Sequence, residues 1–395
     1  MEAYAAQWVE LLLRWVHLIT GIAWIGASFY FVWLDNSLLA PRRASDAQEG
    51  VGGELWAVHG GGFYHVQKYR VAPAELPSPL HWFKWEAYST WLSGFALFVA
   101  MYYLHARTYM IDPAVADITP AVAVAISVGL VIAGWLFYDQ LCKRLGFARE
   151  RWLWIALVAF IAASAYGLSH VYSGRGMYYQ VGAMIGTWMA ANVLFVIIPS
   201  QRALVEAKQA GAAPDPVHGQ RGKQRSVHNN YFTLPVLFIM ISNHYPMTFG
   251  HPHAWLVLLA VLALAAFVRH FFNLRHRGRT AWWIPATATL GTLALAAAIA
   301  PARAPEAAVP AFSDVQRIVA TRCAVCHAEH PRQEGFAVAP KGVLLDSAAR
   351  IEAQAAAIET QAVRTRAMPI GNLTGMTDDE RSILGAWIAA GAPTR

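Results

Sequence analysis

Apolar residues gather into eight runs along this chain, roughly Trp8 to Leu34, Phe83 to Leu104, Pro120 to Leu141, Trp152 to His170, Met177 to Ile198, Tyr231 to Phe249, Ala254 to Phe272 and Ala281 to Ala300. Each is long enough to cross a hydrocarbon core of about 30 Å. Backbone polar groups in lipid need partners within their own segment, so each run is predicted to be helical. After Ala300 the pattern changes. Pro301 to Ala311 has the composition of a linker. A helix is then predicted from Ser313 into Cys323, a second from Ser347 to about Arg364, and a third after Thr377-Asp378-Asp379-Glu380, a capping-box pattern, through Trp387. The expected architecture is all-α: an eight-span membrane helix bundle over residues 1–300, a Pro/Ala linker over 301–312 and a small helical domain over 313–395.

Composition agrees with this division. Hydrophobic residues make up 56% and charged residues only 14%, with mean hydropathy +0.35, too apolar for an ordinary soluble chain. The formal charge of +7 accompanies no compact basic patch with interleaved aromatics, so no nucleic-acid partner is expected. Its distribution is informative instead. The first, third, fifth and seventh connections carry sixteen Lys and Arg, from Arg42 to Arg279, whereas the second, fourth and sixth carry only Arg107 and Arg175. By the positive-inside rule the odd connections lie in the cytoplasm and both termini outside. Met1 to Glu10 lacks a basic region and a small-residue cleavage site, so no removable signal is expected.

Three cysteines exclude a disulfide framework. Cys142 falls at the end of an apolar run and reads as a small buried residue. Cys323-Ala324-Val325-Cys326-His327 is a C-x-x-C-H motif, the attachment site of a c-type haem. In that reading Cys323 and Cys326 hold the porphyrin, and His327 is one axial ligand. Met368, before Pro369, is the expected second ligand because a thioether stabilises reduced iron, with Met376 and His330 as competitors. A zinc half-site lacks a second Cys or Cys/His pair at suitable spacing. Haem c is attached on the outer side of a bacterial cytoplasmic membrane, where an even number of spans places the motif.

Histidines inside or beside spans default to functional hypotheses. His17 lies about nine residues into the first run, roughly 14 Å along a helix. His105, His170 and His244 lie near the outer ends of the second, fourth and sixth runs. A facing pair would suit a b-type haem, whereas local hydrogen bonding at the interface is the simpler account, favoured for His105. On the inner side, the first connection carries W-A-V-H-G-G-G-F-Y-H-V-Q-K-Y-R and then L-P-S-P-L-H-W-F-K-W-E-A-Y. Gly60 to Gly62 permit close backbone approach. His65, Lys68, Arg70, His81, Lys84 and Glu86 offer proton transfer and positive charge beside Phe63, Tyr64 and Trp82, which suits a planar anion. An amphipathic loop lying on anionic lipid is the competing account.

The stretches Arg14 to Phe31, His59 to Tyr64 and Leu80 to Gly94, together with the C-A-V-C-H motif and Met368-Pro369, resemble the bacterial membrane-bound urate oxidase (urate hydroxylase) family with a C-terminal cytochrome c domain. The resemblance implies oxidation of urate to 5-hydroxyisourate, with electrons passed to the cytochrome and no peroxide formed. His65 or His81 would then act as base, Glu86 would orient it, and Lys68 or Arg70 would hold urate oxygens. The first run is also similar to those of small membrane haem proteins, which makes His17, with His170 or His244, a haem b candidate. The expected partners are urate, the lipid bilayer and a downstream cytochrome or terminal oxidase. A dehydrogenase for another small reductant or quinol, and a non-catalytic membrane-anchored electron carrier, are the alternatives. The residues leave open on which side urate binds.

Overall fold

The computed structural model describes residues 2–300, 309–333 and 335–394; most of the expected Pro/Ala linker lies outside them. The first apolar run is one long helix, α1 (Glu2–Ser37). Its Leu11, Leu12, Trp15, Leu18, Ile19 and Ile22 are exposed, a surface suited to lipid and not to water. The second is α2 (Trp85–Phe98), continued by a π-helical turn at Val99–Tyr103. There follow α3 (Pro120–Leu145), α4 (Glu150–Leu168), α5 (Gly174–Gln209), α6 (Pro216–Ser242), α7 (Ala254–His276) and α8 (Trp283–Ala298). Five of them, α1, α3, α4, α5 and α7, are long and apolar enough to cross a membrane, and α8 is a shorter apolar helix.

α5 is the central helix. Tyr178, Val181, Ile185 and Trp188 on it are fully buried, and Trp188 stacks on Tyr138 of α3 with ring centroids 4.9 Å apart. Leu153 and Leu157 of α4 and Leu258 of α7 complete this core. The sixth run departs from the hydropathy pattern. Its helix starts at Pro216, after an Asp215 cap that accepts from the Val217 N–H at 2.9 Å, and not near Tyr231. The extra turns carry polar residues that are nonetheless buried: Gln224, Arg225, His228, Asn229 and Asn230. Arg225, counted among the loop cations, is therefore an interior residue of the bundle.

The all-α expectation needs one correction. The first connection folds as an antiparallel hairpin, β1 (Val51–His59) with β2 (Gly62–Tyr69), in which Trp56 pairs with His65 and His59 with Gly62. Gly60 and Gly61 form the turn with φ of 56° and 79°, the left-handed pair that a two-residue hairpin turn demands. A Cβ on either would meet nothing within 4 Å. These glycines serve the turn, and no other group among the described residues approaches that position.

The tail is a separate helical cluster. α9 (Phe312–Arg322) and α10 (Ala348–Ala353) pack Val315, Ile318, Val319 and Ile351 against Leu384 and Trp387 of α11 (Asp378–Ala389). The capping box at α11 is complete, with Glu380 N–H on Thr377 Oγ1 (3.2 Å) and Thr377 N–H on Glu380 Oε2 (2.8 Å). The helix expected from Ser347 to Arg364 is instead interrupted at Gln354 and ends in a π-helical turn, Glu359–Arg364. The tail sits on the membrane part through tight backbone contacts. A Cβ on Gly250 would collide with the Thr365 carbonyl, and one on Gly371 with the Thr108 carbonyl.

Candidate functional site

A cavity of about 1570 Å³ lies among α1, α4, α5, α6 and α7. Trp24, Phe31, Trp82, Phe83 and Trp154 supply its aromatic walls. Two helices supply a polar wall. On α7, His270 and Asn273 share a face, with Arg277 just past the end of the helix, and on α6 Asn229, Asn230 and Thr233 lie at spacings of three and four. The mouth carries Asp35, His81, Lys208, Lys223 and Arg277, so the cavity opens where the first, fifth and seventh connections gather.

Behind this wall, buried polar groups form two networks. In the first, Arg225 donates to Asp139 Oδ1 (2.8 Å) and to Asn192 Oδ1 (3.1 Å). With its oxygen so engaged, Asn192 donates through Nδ2 to Tyr138 Oη (2.8 Å) and to Asn229 Oδ1 (2.9 Å). The Tyr138 hydroxyl can then donate to His228 Nδ1 (2.8 Å), which places the His228 proton on Nε2, a buried atom with no partner among the described residues. In the second network Arg269 Nε donates to Asn230 Oδ1, Asn230 Nδ2 donates to Asn273 Oδ1 (3.0 Å), and the guanidinium lies 4.0 Å from the Phe29 ring centroid. Beside it the Tyr231 hydroxyl meets His270 Nδ1 at 2.7 Å.

The residues singled out from sequence separate in space. His81 lines the cavity mouth, edge-on to Phe83 at 4.6 Å. Lys68 is ion-paired with Asp35 (2.5 Å), itself a lining residue. His65 lies on the hairpin, stacked on Trp56 at 4.3 Å and hydrogen-bonded through Nε2 to Glu54 Oε2 at 2.9 Å. The carboxylate that orients His65 is thus Glu54 and not Glu86. That hydrogen bond holds the Glu54 carboxyl below its ordinary pKa. Glu86 Oε2 is buried without a hydrogen-bond partner, and its side chain bonds neither His65 nor His81.

His17 is half-buried, with Nδ1 3.0 Å from the Thr90 carbonyl and 3.2 Å from Ser93 Oγ, and its ring lies so close to Gly94 that a Cβ there would strike it. His170 Nδ1 lies 2.9 Å from the Tyr166 carbonyl, and His105 Nδ1 3.0 Å from the Ala100 carbonyl. His244 is exposed after the end of α6. Among the described residues no hydrogen bond or ring contact joins His17, His170 and His244.

In the tail, Cys323, Cys326 and His327 follow directly on α9. His327 Nδ1 lies 3.0 Å from the Val343 carbonyl. Cys323 and Met368 both pack against the tail core, where Met376 is also buried. Burial pushes the Cys323 thiol up to about 12 and raises that of Cys326. Arg381 donates to the Met368 carbonyl at 2.8 Å, fixing that loop. His330 is exposed.

Sequence reasoning passed over Asp139, His228, Arg269 and His270. Asp139 and Arg269 each interrupt an apolar run with a charge, and the cost of an ionisable group in a span was the signal that marks them. His228 had no such flag, because it lies in a stretch too polar to register as part of a span.

No curated protein and no solved structure matches the chain. The family model described as urate oxidase N-terminal matches residues 3–300, which include every helix around the cavity, and the chain belongs to that family.

Proposed function

We propose that this protein oxidises urate to 5-hydroxyisourate in the cavity of its helical bundle and releases the electrons to a haem c in its tail. The observation that carries this reading is the cavity itself, a space with aromatic walls, a buried amide and imidazole wall and cationic side chains at the mouth, inside the segment shared with the urate oxidase N-terminal family. Urate is a flat monoanion at neutral pH. Lys208, Lys223 and Arg277 attract it, aromatic faces take its ring, and amides meet its oxygens.

The reaction balances as urate plus water giving 5-hydroxyisourate, two protons and two electrons. A base removes a proton as the ring is oxidised, and water adds at C5. His81, which lines the mouth, is better placed for this than His65, which is engaged with Glu54. His270, deeper in the cavity and hydrogen-bonded to Tyr231, is a second base in reach of the same space. Lys68 acts indirectly, by pairing with Asp35.

The tail residues fit haem c. His327, with Nδ1 directed at the Val343 carbonyl, leaves Nε2 free as an iron ligand, and Cys323 and Met368 pack against the adjoining apolar core. When bound, haem c supplies a one-electron acceptor in place of oxygen, so no peroxide forms, and a downstream cytochrome or terminal oxidase drains it. His17 and His170 likewise have Nδ1 on a backbone carbonyl, which suits haem b ligands, although local capping has the same geometry. The loop charges put the cavity mouth in the cytoplasm and both termini with the tail on the periplasmic side of a bacterial inner membrane, spanned eight times.

The cavity is larger than urate needs, and this favours a second reading, a quinol or another small reductant as the electron donor. The experiment that separates them supplies purified protein with urate and an external one-electron acceptor. Formation of 5-hydroxyisourate without hydrogen peroxide supports the proposal, and quinol oxidation with inert urate refutes it.

A further inference from the structure

Arg225 and Arg269 are both nearly fully buried, at 3% exposure each, but only Arg225 has a carboxylate, that of Asp139. No carboxylate lies within 4 Å of the Arg269 guanidinium among the described residues, and its Nη2 is buried without a partner. The Phe29 ring covers one face of the charge without neutralising it. A buried cation left in this state is expensive. It is accounted for if an anion arrives nearby.

The hydrogen bonds beside Arg269 show where that anion goes. A guanidinium only donates, so the Asn230 atom that meets Arg269 Nε is Oδ1, and the Asn230 amide is locked with Nδ2 turned away from Arg269. One Nδ2 proton is used on Asn273 Oδ1, which locks the second amide in the same sense. Each Oδ1 is thus turned to a donor inside the network. The pair keeps three unused N–H protons, one on Asn230 and two on Asn273, and both residues line the cavity. Asp35, a carboxylate at the mouth, is already shared by Lys68 and Lys223.

We infer that Asn230 and Asn273, oriented and polarised by Arg269, form a donor-rich subsite that binds the carbonyl oxygens and negative charge of a planar oxopurine anion. The inference rests on the urate reading above and deepens it by naming the groups that select the anion. Asn230 and Asn273 are binding residues, and Arg269 is a positioning residue that acts through them.

The decisive variant is Asn230→Asp. It gives Arg269 an internal counter-ion and replaces a donor with a carboxylate facing the ligand. The full-length protein should become more resistant to thermal unfolding, while urate affinity by titration calorimetry falls about tenfold or more, the size of one charge-assisted hydrogen bond. KM for urate should rise with it, and kcat should change less. Arg269→Gln should weaken urate comparably, with Arg269→Lys between it and the wild type. A merely structural Arg269 would give Asn230→Asp the same thermal gain with Kd and KM unchanged. Wild-type affinity in both Asn230→Asp and Arg269→Gln overturns the inference and leaves the urate reading standing. Wild-type protein that neither binds nor oxidises urate overturns both.

Discussion

Asp139 and Arg225 are charges that the bundle can bury because each satisfies the other, and Lys143 adds a second contact to Asp139 at 2.6 Å. Asp139→Asn leaves the guanidinium uncompensated and should cost about 3–5 kcal/mol, read as a large drop in thermal midpoint in detergent. Asp139→Asn combined with Arg225→Gln should recover much of the loss, since neither charge then remains. Glu54 and His65 make a second pair, outside the bundle, with the opposite logic for acid. The Glu54 carboxyl has a lowered pKa in the folded protein, through the His65 hydrogen bond first. Its contribution is complete above the ordinary glutamate value of about 4.3 and is lost as pH falls through the lowered folded value. Hydrogen exchange in the hairpin should therefore accelerate on acidification below that range, and Glu54→Gln should remove this pH dependence. At this scale single residues stand out in the sequence more readily than their partners do. His81 stands out as a histidine among aromatics, and it lines the cavity, but Glu54 was missed because cross-strand pairing with Gln67, beside His65, exists only once a hairpin register is known.

Elements with a single period were the most legible. The apolar runs of α1, α3, α4 and α7 show nearly where those helices lie, and the Thr377 capping box marks the start of α11. α6 was half missed because helix formation in its first half rests on polar groups satisfied inside the bundle, which hydropathy counts as loop. The hairpin was missed for another reason: its alternating apolar and polar residues around Gly60-Gly61 were weighed as ligand-binding glycines before being weighed as a turn. Docking of the tail is also an element-level matter, invisible in sequence. Gly250 and Gly371 let backbone meet backbone there, and Gly371 also has a φ of 56°. Gly250→Val should force the Thr365 segment away, so amides of residues 365–372 should exchange faster in the variant while α11 keeps its protection.

On the scale of the whole molecule, the cavity and the C-x-x-C-H tail are two ends of one device in this account. Residues 3–300 are the portion shared with the urate oxidase N-terminal family, and the proposed function assigns substrate chemistry to them and electron removal to Cys323, Cys326, His327 and Met368 of the tail. Hydropathy changes abruptly after Ala300, which is the signal on which the expected division of the chain rests. The location of the cavity was not legible, since it is assembled from five helices whose mutual packing no local pattern encodes. The central claim is that oxidation of urate in the bundle reduces a haem in the tail. Adding urate to the purified protein under anaerobic conditions and following the visible bands of the c-type haem tests it most directly. The reduced spectrum should appear, with one urate consumed for every two haems because each urate yields two electrons and each haem takes one. A haem that stays oxidised with urate but is reduced by dithionite would contradict it.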